Sequence, residues 1–196
     1  MVKVIQNQPE HNWCSLKDYG DQHSAAILST AKQQLPGIIS QLQSIQTPSA
    51  RLNFKFEAIW SVYGKIISLY REDPHHKHAC DRLDVELKKT RQLQQQLPDT
   101  PEVLGHQDLH SGNLTLNNGQ LVLLDWEYAG LCQPWLDAAG LISQFSFSHK
   151  TVNQLPAFKH LDEATFSSAA NTAITFNKQL EILWLQAREI TDNNDQ

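Results

Sequence analysis

Two apolar runs of strand length, Leu114-Thr115-Leu116 and Leu121-Val122-Leu123-Leu124, are separated by Asn117-Asn118-Gly119. Asn-Gly readily adopts the positive φ angles that a tight turn needs, so this segment is expected to fold as an antiparallel hairpin. Val103-Leu104 is a third short run, and residues 13–19 form a fourth, closed by the turn signal Gly20-Asp21. Elsewhere the apolar spacing is helical. Leu28, Ala31, Leu35, Ile38, Leu42 and Ile45 step by three and four straight through Pro36. That stripe predicts either one long helix kinked at the proline or two short ones end to end, with Asp21 or Ser24 as the cap. Ile59, Trp60, Tyr63, Ile66, Ile67 and Tyr70 mark a second helix. Asp73, followed by Pro74, is placed to cap a third over roughly residues 75–97. The thin stripe of Leu83, Leu87, Leu93 and Leu97 puts that third helix on the surface. Two further helices are expected near residues 134–147 and 162–187, before a polar tail at 191–196. The fold class is α+β: a mostly helical unit over residues 21–190, with a small sheet carrying its loops.

Composition narrows the function. The 196 residues suffice for one domain with a full core, and the net charge of -5 offers no basic stripe for nucleic-acid phosphates. No stretch of about eighteen apolar residues suggests a membrane span, and the first residues have neither the apolar core nor the cleavage-like site of a secretion signal. Cys14, Cys80 and Cys132 are far apart and form no CxxC pair, which fits reduced thiols in a cytoplasm. His75, His76, His78 and Cys80 crowd a helix start; they point around the cylinder and are read as a solvated helix end, not a zinc site.

The chemistry concentrates around the hairpin. His106-Gln107-Asp108-Leu109-His110-Ser111-Gly112-Asn113 precedes it, and Asp125-Trp126-Glu127 follows its second strand. Phosphoryl transfer needs a carboxylate to orient an attacking hydroxyl and accept its proton. It also needs hard oxygen ligands to hold magnesium against nucleotide phosphates. Asp108 suits the first task, Asn113 and Asp125 the second. The four residues between Asp108 and Asn113 let a loop turn back, with Gly112 supplying backbone freedom. The hairpin then returns Asp125 to Asn113, on the rigid mount of a strand end.

HQDLHSGN followed by LLDWEYAG resembles the aminoglycoside phosphotransferase and choline kinase superfamily, and within it the choline kinase and thiamine kinase branches. The resemblance implies a protein-kinase-like fold, ATP as co-substrate, Mg2+ and a small-molecule alcohol as acceptor. It places Asp108 as catalytic base, with His106 beside it either transferring protons or, as we favour, hydrogen-bonding the loop. Asp137, in Pro134-Trp135-Leu136-Asp137, stands where the family has an Asp that supports the catalytic loop. Gln107 replaces the Arg of many protein kinases, Asp-Trp-Glu replaces Asp-Phe-Gly, and no Ala-Pro-Glu follows, so no phosphorylated activation loop is expected.

The resemblance extends over about residues 13–187. Residues 12–19 are similar to the last strand of the family's small lobe running into the hinge, where Lys17 and Tyr19 would meet the adenine through backbone groups. Only twelve residues precede Trp13, and none is glycine. Residues 1–20 are therefore read as the remnant of a lobe whose nucleotide-covering loop and lysine are missing, or are supplied by a partner chain. Substrate-side candidates are His110, Trp126, Glu127 and Tyr128. An acidic chain with Glu127 among aromatic rings suits a choline-like or thiamine-like cationic alcohol. Each has a plainer reading: His110 as a solvated loop residue, the aromatic residues as core, Glu127 as the partner of a neighbouring loop. The rival for the whole chain is a truncated or pseudokinase remnant that binds a ligand or partner without catalysis, since electrostatic placement of the phosphates is most of what such enzymes supply.

Overall fold

The computed structural model describes residues 4–8, 13–16, 24–46 and 55–192. Its spine is the C-terminal helix α6 (Glu163–Asp192), which opens where Asp162 accepts from the Thr165 N–H at 2.9 Å and from the Thr165 hydroxyl at 2.6 Å. This cap satisfies a first-turn donor that has no partner within the helix. Thirty residues at about 1.5 Å each make a helix of about 45 Å, long enough to serve two cores. Phe166, Ala169, Ala170 and Ala173 face the first core; Phe176, Leu183, Ala187 and Ile190 face the second.

The second core fills the space between α6, α2 (Phe56–Tyr70) and α3 (Lys77–Gln95), with Trp60, Tyr63, Ile67, Cys80, Leu83 and Leu87 buried. α3 lies at the surface as expected, with most of its polar face exposed and one narrow stripe turned into this core. Cys80, Leu83, Leu87 and Thr90 form a buried line, while Leu93 and Leu97 sit at its margin, only partly buried. The polar face that suggested exposure is spent partly on neighbours, as Gln179 donates to Glu86 at 2.8 Å and Arg71 to Asp84 at 2.8 Å. Asp73 does not cap α3. Its carboxylate accepts from the His75 N–H at 2.9 Å, closing a turn, and the helix begins with His76 as N-cap.

The first core holds α1 (Ser24–Gln43), the hairpin and α4 (Trp135–Ser143), together with the short α5 (His149–Asn153), which the sequence reading missed. α1 is a single helix through Pro36, and Ile27 and Ile39 are buried where Leu28 and Ile45 were expected; those two are exposed at 36% and 51%. The hairpin pairs β4 (Leu114–Asn117) with β5 (Gln120–Leu123) around Asn118 (φ 51°) and Gly119 (φ 76°). It is pinned to α1 by one side chain: Gln34 donates to the Gly119 carbonyl at 3.0 Å and accepts from the Leu121 N–H at 2.9 Å.

A second ribbon joins β3 (Val103–Gly105) to β6 (Gly130–Cys132). A third pairs β1 (Val4–Gln8) with β2 (Trp13–Leu16). β6 and β1 were not foreseen, being short or mostly polar in sequence. The last helix includes Thr191 and Asp192 of the expected polar tail, and residues 193–196 lie outside the described residues. Helices around small antiparallel ribbons make the α+β architecture of a kinase-like C-terminal lobe. Among the described residues no helix is long and apolar enough to cross a membrane.

Candidate active site

The loop from β3 to β4 is held from below by two buried side chains. Asp137, on the first turn of α4, accepts from the His106 N–H at 2.9 Å and from the Gln107 N–H at 2.7 Å. Burial pushes this carboxyl up to about 6, against the opposing pull of those two backbone donors. Its grip falls on a strained point, because Gln107 has φ 68°, the left-handed region that non-glycine residues avoid. His106 is fully buried, with Nε2 2.8 Å from the Leu124 carbonyl oxygen and Nδ1 3.3 Å from the Asp108 N–H. A carbonyl only accepts and an N–H only donates, so this pairing fixes the neutral tautomer with hydrogen on Nε2. Both ring nitrogens serve backbone groups, and the ring ties the loop to the end of β5.

Above these supports lie the exposed groups. Asn113, buried at the end of a 3-10 turn (Ser111–Asn113), donates through Nδ2 to the Asp108 carbonyl at 2.9 Å and to the Asp108 carboxylate at 2.8 Å. Its amide oxygen is thus the atom left for another partner. The Asp108 side chain is 39% exposed, and its Oδ2 lies 3.5 Å from Nε2 of His110. His110 accepts from the Gly112 N–H at 3.1 Å through Nδ1, which leaves the hydrogen on Nε2, toward Asp108. Gly112 does not adopt positive φ, which corrects the role assigned to it. Its lack of a side chain matters because a Cβ would meet the His110 ring at 2.9 Å.

The hairpin brings the second half of the constellation alongside. The Leu124 N–H donates to the Asn113 carbonyl at 2.8 Å, so Asp125, the next residue, leaves the strand beside Asn113 with φ 55°. Asp125, Trp126, Glu127 and Tyr128 are all exposed. Trp126 folds back, its indole N–H on the Leu123 carbonyl at 3.0 Å and its ring edge-on to His106 at 4.9 Å. The Tyr128 hydroxyl is held above its usual range by burial, then by Glu127, Asp108 and Asp125. Three carboxylates therefore act on one hydroxyl, and their field attracts cations.

A hard divalent cation suits this donor set, with the Asn113 amide oxygen and the Asp125 carboxylate on the protein side. Among the described residues no group of three or more His, Cys, Asp or Glu is placed to hold a metal by itself. Tyr63 of α2 is a core residue, as expected, and burial followed by the neighbouring Tyr128 raises its hydroxyl. Lys17 and Tyr19 lie outside the described residues.

No curated protein sequence matches the chain. Among solved structures it resembles the choline kinase LicA from Streptococcus pneumoniae, with a TM-score of 0.54 at 16% identity. The likeness takes in 96% of this chain but 66% of that one, so the chain spans slightly under two thirds of the choline kinase's length. At that identity the likeness speaks for the fold. The model of the phosphotransferase enzyme family matches residues 17–170, a span that includes the loop, the hairpin, Asp125 and Asp137, and the chain belongs to that family.

Proposed function

We propose that the chain carries the acceptor-activating and metal-holding site of a small-molecule kinase, which moves the γ-phosphoryl group of ATP to an alcohol. The observation that carries this reading is the pairing of Asn113 with Asp108 at 2.8 Å, which fixes an accessible carboxylate in one orientation beside an amide oxygen free for a cation. In the reaction the acceptor oxygen forms a bond to the γ-phosphorus as the bond to the bridging oxygen breaks. ADP departs with that electron pair, and the hydroxyl proton passes to Asp108. Mg2+, held through Asn113 and Asp125, supplies charge compensation to the nucleotide phosphates. His106 and Asp137 position the loop. His110, with its Nε2 hydrogen toward Asp108, steadies the carboxylate from the solvent side.

The acceptor we infer is a cationic alcohol of the choline or thiamine kind. Glu127 is the carboxylate without another assigned duty, and the half-exposed rings of Trp126 and Tyr128 lie beside it. A ring face contributes roughly 0.5–2 kcal/mol toward a bound cation. The hinge reading of Lys17 and Tyr19 and a cytoplasmic location belong to the same proposal. The test is transfer of label from γ-labelled ATP with Mg2+ to choline, ethanolamine, thiamine, homoserine, kanamycin or a hexose. Label on choline or thiamine supports the reading, whereas preference for kanamycin or the hexose ends the acceptor assignment.

A further inference from the structure

We infer that Gly140 is a positioning residue for the catalytic loop, setting by direct backbone contact how close helix α4 lies to Asp108. This rests on the reading of Asp108 as the base. A Cβ built on Gly140 would meet the Leu109 carbonyl oxygen at 2.6 Å and the Leu109 Cβ at 2.9 Å. Neither neighbour is the free end of a flexible side chain. Leu109 is itself 3% exposed and stands between Asp108 and His110, so it has no open space to retreat into. The smallest side chain at 140 must therefore move the peptide next to the base, or drive α4 off the loop.

The same helix holds the loop one turn earlier. Asp137 and Gly140 are three residues apart, which puts them on one helix face. Asp137 draws in the His106 and Gln107 N–H groups, and Gly140 fixes the distance at which that pull stops. Neither contact works alone: without Gly140's bare backbone, the hydrogen bonds to Asp137 could not form at 2.9 and 2.7 Å with Leu109 in its place. Gly64, in the middle of α2, supplies the contrast, because a Cβ there meets nothing within 4 Å.

The experiment compares Gly140→Ala with Gly64→Ala in the full chain. The first readout needs no activity: the side-chain amide NMR signals of Asn113, whose Nδ2 bonds Asp108, and hydrogen exchange at Leu109–Asn113. Gly140→Ala is expected to shift those signals and to speed exchange about tenfold or more, and Gly64→Ala to leave both unchanged while raising the melting temperature. The second readout is transfer: kcat falls about tenfold or more in Gly140→Ala, with KM for the acceptor within about twofold, as expected when reacting groups are misplaced by a fraction of an ångström. Unchanged Asn113 signals and exchange in a folded Gly140→Ala variant overturn the inference, whatever its melting temperature. If the wild type transfers nothing, the function proposed above fails, and the Asn113 signals still decide the positioning role. Should Gly140→Ala not fold, Leu109→Gly/Gly140→Ala withdraws the Cβ clash and keeps the carbonyl in the way, and it is read by the same two criteria.

Discussion

Asp137→Asn separates what the buried carboxylate does for stability from what it does for the loop. In the wild type both carboxylate oxygens accept backbone N–H groups, from His106 and Gln107. The amide keeps one acceptor and turns an NH2 toward the other donor, leaving a buried N–H without a partner at a cost of about 1–3 kcal/mol. Against that, burial holds the Asp137 carboxyl at about 6, above its ordinary value of 3.8. A raised carboxyl binds its proton more tightly in the folded state, so stability from this group is greatest at low pH and is lost as pH rises from about 4 through 6. At about 1.4 kcal/mol per pH unit, that loss is on the order of 3 kcal/mol by neutral pH. Losing the charge thus offsets the missing hydrogen bond near pH 7, and the variant is expected within about 2 kcal/mol of wild type there. Urea unfolding followed by tryptophan fluorescence between about pH 4 and pH 7 measures both. The deficit of the variant should widen toward low pH, because only the wild type gains from protonation, and other carboxylates cancel in the comparison. A deficit that is constant, or that narrows as pH falls, refutes the reasoning. Transfer at pH 7 should nonetheless fall about tenfold or more, because Gln107 at φ 68° loses its anchor.

Gln34→Ala removes both hydrogen bonds that pin the hairpin to α1 and is expected to cost about 1–3 kcal/mol, read as a lower urea midpoint; an unchanged midpoint contradicts the pinning role. Glu127→Gln is expected to raise KM for a cationic acceptor about tenfold with little change for a neutral one, and an equal effect on both contradicts the assignment. Asp125→Asn should weaken Mg2+ binding, requiring about tenfold more for half-maximal rate, and a normal magnesium titration removes Asp125 from the ligand set.

What was legible in the sequence follows from how local each signal is. The β4–β5 hairpin was readable because Asn118-Gly119 encodes its own turn, and the major helices because their stripes repeat. Asp108, Asn113 and Asp125 could be grouped because loop and hairpin are contiguous, so their meeting needs no distant contact. β6 was hidden: three residues, Gly130–Cys132, carry no period and pair only because β3 is nearby. The surface placement of α3 was readable from its thin stripe and dense polar face, but the partners of that face, Gln179 and Arg71, were not, because they come from other elements. Gln34 and Gly140 were invisible for one shared reason. Each acts through a residue far away in sequence or through backbone proximity, and no local pattern records either.

The central claim, that Asp108 is the acceptor of the hydroxyl proton, is tested most directly by single-turnover transfer from γ-labelled ATP in the wild type and in Asp108→Ala. Urea midpoints run alongside confirm that both are folded. The account predicts that the wild type labels the acceptor hydroxyl and that the variant does so about 10²–10⁴-fold more slowly, the range expected for loss of a general base. A folded Asp108→Ala variant that transfers label at the wild-type rate would contradict it.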